Sequence, residues 1–147
     1  MSLFYADTSA LARAYLDDEP DHATLGHLLL ESGEQVVTSE LSRLELASTV
    51  RSAERAGRVF DGEDLLTRIA SDVSELGAIQ LLKLRPERTL PAAHRLLLTH
   101  RLRTLDAIHL AVALDDARTY AGSEQVVLVT RDADQAAAAR ALGLAVR

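Results

Sequence analysis

Short apolar runs alternate along the whole chain with longer stretches whose apolar positions recur every three or four residues. The runs Leu3–Ala6, Gln35–Thr38, Ile79–Leu84, Val126–Thr130 and Leu144–Val146 read as strands. The stretches at 8–17, 21–32, 39–56, 62–76, 87–101, 105–119 and 133–142 carry helical spacing, and Gly143 follows the last of them as a C-terminal cap does. Strands that are continuously apolar need cover on both faces. Helices placed between them supply that cover, so the pattern predicts an α/β fold with a parallel sheet. There is no internal repeat, linker or shift in composition, so residues 1–147 are expected to form one domain. A chain of this length can bury a sufficient core without a metal or a disulfide.

Composition narrows the chemistry. The chain has no Cys, no Trp and one Met, which excludes a disulfide framework, a cysteine zinc site, a thiol nucleophile and an aromatic platform for single strands. Asp and Glu number 22 against 16 Lys and Arg, for a net charge of −6. That balance at first speaks against a nucleic-acid partner, since phosphate-binding domains usually present a basic face. No segment shows the order of a signal peptide, and no apolar run approaches the roughly 18 residues of a membrane span. A cytoplasmic protein with no membrane partner is the expectation.

Parallel sheets bind ligands beyond the carboxyl ends of their strands. The first strand runs into Asp7-Thr8-Ser9 and the fourth into Thr130-Arg131-Asp132. Each acid also stands where a helix begins, so N-capping competes as its role. Asp106 heads an apolar stripe continued by Leu110, Ala113 and Ala117, a costly place for an unpaired carboxylate, although a first-turn acid also suits the helix dipole. Glu45 lies one turn after Leu41 at the edge of an apolar face, and Ser42 with Glu45 also fits a capping box. Four such acids, with no Cys and no well-placed His pair, favour a hard cation such as Mg²⁺ or Mn²⁺ over zinc. His109, three residues after Asp106, stands near enough to assist, but a core or surface place is its simpler reading.

These segments resemble the PIN-domain ribonucleases, and among them the VapC-type toxins of bacterial toxin–antitoxin pairs. Tyr5-Ala6-Asp7-Thr8-Ser9-Ala10 looks like the family's opening strand and first acid, and Ser39 through Glu45 like its second motif. Leu105-Asp106-Ala107-Ile108-His109-Leu110-Ala111 is similar to the third motif and Val129-Thr130-Arg131-Asp132 to the fourth. The close, Ala138 through Leu144, also fits, so the likeness covers nearly the whole chain. It implies a five-stranded parallel sheet in the order 3-2-1-4-5 with helices on both faces, which would bring Asp7 and Asp132 together.

The resemblance further implies Mg²⁺- or Mn²⁺-dependent endonucleolytic cleavage of RNA, leaving a 5′-phosphate and a 3′-hydroxyl. Asp7 and Asp106 would be the core ligands, with Glu45 binding directly or orienting the water. Asp132 would hold a second cation or its water, with Asp134 as the substitute for it. Thr8 and Thr130 would hydrogen-bond these carboxylates. Phosphate contacts are sought among Arg13, Arg43, Arg51, Arg101, Arg103 and Arg131. The implied partners are RNA, a VapB-type antitoxin whose tail fills the acidic groove, and a second copy of the chain in a homodimer. Leu25–Leu30 and the helix around Leu41–Val50 are candidate contact surfaces, with core packing as their competing use.

Other carboxylate-based folds match less well. A receiver domain needs an Asp after the third strand, where Lys83-Leu84-Arg85 stands, and a dehalogenase-like phosphatase needs one at Ser9. A non-enzymatic PIN module that only binds antitoxin or RNA is the alternative, against which the four intact acids count. Two divalent cations among them would bring the net charge from −6 to about −2, so the acidity becomes a reason to expect a metal-dependent phosphate site.

Overall fold

In chain order the elements are β1 (Ser2–Ala6), α1 (Thr8–Tyr15), α2 (His22–Gly26) continuing as a π turn (His27–Glu31), β2 (Gln35–Ser39), α3 (Leu41–Arg55), α4 (Gly62–Asp72), β3 (Ile79–Leu82) and α5 (Pro86–Thr99). They are followed by α6 (Thr104–Val112), a second π turn (Ala113–Ala117), α7 (Arg118–Ala121), β4 (Gln125–Val129), α8 (Ala133–Ala141) and β5 (Ala145–Val146). The computed structural model describes residues 1–147. All five strands are parallel and lie in the order β3-β2-β1-β4-β5, as the resemblance implied.

The continuous apolar runs are explained by two cores, one on each face of the sheet. Successive strand side chains point to opposite faces. Phe4, Ala6, Val36, Val127 and Val129 join Leu11, Tyr15, Leu29, Leu46 and Ile69 of the first four helices. Leu3, Tyr5, Val37, Val126 and Leu128 instead join Leu96, Leu110, Val112 and Ala139 of the helices on the other side. Each fully buried Leu or Val contributes about 1.5–3 kcal/mol. No helix is long and apolar enough to cross a membrane.

Element boundaries differ from the sequence pattern in ways that packing explains. The helix expected over 62–76 ends at Asp72, because Val73 leaves it to bridge Ile79. A Cβ at Gly77 in the following turn would collide with the Asp72 carbonyl, so the tight return needs glycine. The strand expected over Ile79–Leu84 ends at Leu82, and the helix expected from residue 39 begins at Leu41. Gly143 takes φ +83° just after α8, and the Leu144 N–H reaches back to the Ala139 carbonyl at 2.9 Å. The Leu25–Leu30 segment supplies packing: Leu25, Leu28 and Leu29 are buried in the first core, and Leu30 packs against it. In α3, Leu46 and Val50 are likewise core residues, whereas Leu44 is exposed.

Candidate active site

The switch in strand order falls at β1, whose neighbours are β2 and β4. Asp7 follows β1 directly, and its N–H donates to the Val129 carbonyl at the end of β4 at 3.1 Å. The side chain is 2% exposed and fully engaged. Oδ1 accepts the Ala10 N–H at 3.0 Å, capping α1, and the Ser9 hydroxyl at 2.7 Å. Oδ2 lies 2.8 Å from the Thr130 hydroxyl, which is also 2.7 Å from Gln135 Oε1. Burial pushes the Asp7 carboxyl above its ordinary value. The bonds from Ser9, Ala10 and Thr130 pull it down, but by less.

Asp132 stands after β4 in the same way and caps α8, its Oδ1 accepting the Gln135 N–H at 2.8 Å. Its other oxygen, Oδ2, lies 3.3 Å from the Arg103 guanidinium. Asp106 occupies the first turn of α6, and Arg103 Nε lies 3.3 Å from its Oδ2. One guanidinium therefore bridges both acids. Burial raises the Asp106 carboxyl, as does the charge of Asp132, while Arg103 opposes both.

Glu45 comes from α3. The capping box with Ser42 does not form: Glu40 stands at the N-cap, and Ser42 is buried with its hydroxyl 2.7 Å from Thr38. Glu45 Oε1 accepts the Thr8 hydroxyl at 2.8 Å and lies 2.6 Å from His109 Nε2. Burial raises the Glu45 carboxyl, but the hydrogen bonds from His109 and Thr8 carry it below its ordinary value. His109 is 2% exposed, and its Nδ1 lies 2.8 Å from the hydroxyl of the fully buried Tyr5. Burial, then the charge of Asp7, pushes the Tyr5 phenol well above its ordinary value, so it keeps its proton.

Asp7, Glu45, Asp106 and Asp132 line one cavity of about 170 Å³ together with Arg103 and His109. Thr8 lines it too, while Thr130 stands behind Asp7. Asp134 is not in the wall and lies 3.8 Å from the exposed Arg101. Arg13 and Arg131 both face Asp21, at 4.0 and 2.9 Å, and Arg131 also donates to the Arg147 carbonyl. Arg51 bonds Glu54 and Glu63. Arg43 lines a different, larger cavity of about 480 Å³ beside Glu40 and Lys83, which gathers no comparable set of acids. Of the six arginines, Arg103 alone lines the acidic cavity.

The donor set is all carboxylate oxygen, which suits a hard divalent cation. No three of the acids and imidazoles lie close enough together to form a finished cage. Asp7 is spent on hydroxyls and a cap, and Arg103 holds Asp106 and Asp132 as a cation in place. An incoming divalent ion would meet the oxygens that Arg103 now neutralises, so the residues fit such an ion once Arg103 swings out.

Sequence reasoning left His109 to the core or surface and did not single out Tyr5 or Gln135. The signal for His109 was its i, i+3 relation to Asp106, which places both on one helix face. Tyr5 could have been found from its odd-numbered place in β1, shared with Leu3, which aims it at the α6 side. Gln135 offered no such signal.

The family model for the PIN domain matches residues 4–141. No curated protein sequence matches the chain. Among solved structures, the Mycobacterium tuberculosis protein VapC20, described as a sarcin-ricin loop cleaving toxin, superposes with a TM-score of 0.64 at 19% identity, covering 92% of this chain and 94% of that one. At that identity the likeness is one of fold.

Proposed function

The chain belongs to the PIN domain family, and on that premise we propose that it is a divalent-metal-dependent endoribonuclease acting as the toxin of a toxin–antitoxin pair. The observation that carries this reading is the arrival of four carboxylates, from the ends of β1 and β4 and from α3 and α6, at one cavity beside the switch in strand order. The solved fold relative is a toxin by its description, which supports the same direction.

In this reading Asp7, Asp106 and Asp132 hold Mg²⁺ or Mn²⁺, with Glu45 as a further ligand or as the acceptor that orients the attacking water. The bound ion supplies charge to polarise the phosphodiester and to activate water. The chain's own residues do the rest. Ser9 and the Ala10 N–H fix Asp7 Oδ1, and Thr8 and His109 fix Glu45 Oε1. Arg103, 83% exposed at its side chain, is free to turn from the acids to an RNA phosphate. Water adds to phosphorus and the 3′ oxygen leaves, giving a 5′-phosphate and a 3′-hydroxyl. A VapB-type antitoxin, a homodimer and a cytoplasmic setting belong to the same proposal.

The experiment is cleavage of total RNA by the purified chain in Mn²⁺, in chelator, and in chelator with Mn²⁺ restored. Cleavage should follow the metal, and Asp7→Ala should lower it by about 10²–10³-fold while circular dichroism remains that of the wild type. Cleavage that persists in chelator, or a fully active Asp7→Ala variant, would remove the assignment. Binding of RNA without cleavage in metal would favour the silent module.

A further inference from the structure

We propose that His109, held by Tyr5, is the positioning residue of this site: its Nε2–H fixes Glu45 by Oε1 and leaves Oε2 as that carboxylate's one oxygen without a protein partner. The kinetic and metal arms of the test rest on the reading above, whereas the hydrogen-bond assignment stands on geometry alone.

Each hydroxyl of the cluster has one proton to give, and this fixes the direction of its bonds. Thr38 donates to the Ala6 carbonyl at 2.7 Å, so at its 2.7 Å contact with Ser42 it accepts, and the Ser42 proton is spent there. Thr8 has one proton. Glu45 Oε1 at 2.8 Å takes it in preference to Ser42 at 3.3 Å. His109 Nε2 then faces two acceptors, Glu45 Oε1 at 2.6 Å and Thr8 Oγ1 at 3.1 Å. A bare Nε2 would set its lone pair against a carboxylate oxygen at that distance, so Nε2 carries the proton. The Tyr5 hydroxyl stands 2.8 Å from Nδ1 and reaches no other acceptor, so it donates there and Nδ1 carries no proton of its own. Tyr5 also meets the ring edge-on, with centroids 6.0 Å apart and planes at 66°, which leaves the imidazole little freedom to turn.

The result is a one-way chain, Tyr5 hydroxyl to Nδ1 and Nε2–H to Oε1, that ends on an acid of the cavity. Glu45 Oε1 is filled by two donors, so whatever the carboxylate does in the cavity it does through Oε2. Tyr5 is anchored in the central strand two residues before Asp7, and His109 lies one helical turn after Asp106. The orientation of Glu45 is thereby tied to the backbone segments that carry Asp7 and Asp106.

The first test needs no metal and no activity. Long-range ¹H–¹⁵N NMR of the ¹⁵N-labelled chain in chelator, with the His109 signals identified by their loss in His109→Gln, should show a protonated Nε2 and a bare Nδ1. A proton on Nδ1 overturns the proposal. The second test measures Mn²⁺ binding by electron paramagnetic resonance and the initial rate of total-RNA cleavage. His109→Leu should weaken both by about 10–100-fold, and His109→Gln, whose amide keeps a donor, should restore most of the loss. Wild-type values in a folded His109→Leu, or equal losses in both variants, overturn it. Wild-type chain that binds no Mn²⁺ and cuts no RNA refutes the nuclease reading instead, and the NMR result still decides the role of His109.

Discussion

Asp7 carries two burdens, and they respond to pH in a definite sense. Its carboxyl is raised by burial, so its contribution to stability is fully present below the ordinary carboxylate range and is lost as pH rises through its folded value. Asp106, raised by burial and by Asp132, acts in the same sense. Glu45 acts in the opposite sense: it is lowered against its burial by His109 and Thr8, so its contribution is lost as pH falls. In Asp7→Asn the side-chain oxygen still accepts from Ala10 and Ser9, while the new amide donates to Thr130 and frees that hydroxyl for Gln135. In chelator at neutral pH the Asn variant should therefore melt above the wild type, by about 2–4 °C for each kcal/mol recovered. The gap should close as pH falls into the carboxylate range, and Mn²⁺ should raise the wild-type melting temperature only. Thermal melts of both proteins across pH, with and without Mn²⁺, check this, and a variant that melts below the wild type at neutral pH contradicts it.

Between elements, Gln135 joins three parts of the site. It is fully buried, its Oε1 meets Thr130, and its Nε2 donates to the Asp106 carbonyl at 3.1 Å. Gln135→Leu would leave a buried carbonyl and a hydroxyl poorly served, at a cost of about 1–3 kcal/mol. Urea unfolding should show that loss, whereas an exposed-position control such as Gln125→Leu should fall within about 0.5 kcal/mol of the wild type. In the sequence, Gln135 reads as one more polar residue of a first helical turn, because its burial depends on α8 docking against α6. The π turns at 27–31 and 113–117 were also invisible, since widening a helix by one residue is settled by packing and not by period. What local pattern could show, it did: strand runs, helix stripes, the cap at Gly143, and an acid at the head of the α6 stripe.

At the scale of the whole chain, four acids spread over positions 7 to 132 meet only because the strand order puts β1 beside β4. Residue patterns placed Asp7, Asp106 and Asp132 at the ends of elements and Glu45 at the edge of a helix face, and the strand order came from family likeness, so the site was legible only where the two were combined. The arginines were least legible, since a surface charge is indistinguishable in sequence from a phosphate contact; five of six pair or point elsewhere. With a net charge of −6, the metal-free chain should bind a labelled RNA hairpin weakly. Mn²⁺ should tighten binding at least about tenfold, or 1.4 kcal/mol, and fluorescence anisotropy with Asp7→Ala as control would report it. Equal affinity in chelator would mean that phosphate is held elsewhere on the surface. The two caps carry a last consequence. Asp7 and Asp132 each use Oδ1 to begin a helix, and Asn begins a helix about as well as Asp. A single-base change at either codon can thus quench the acid while leaving the architecture whole. Under the proposed nuclease reading, descendants of this gene fall silent in one step without ever passing through an unfolded protein.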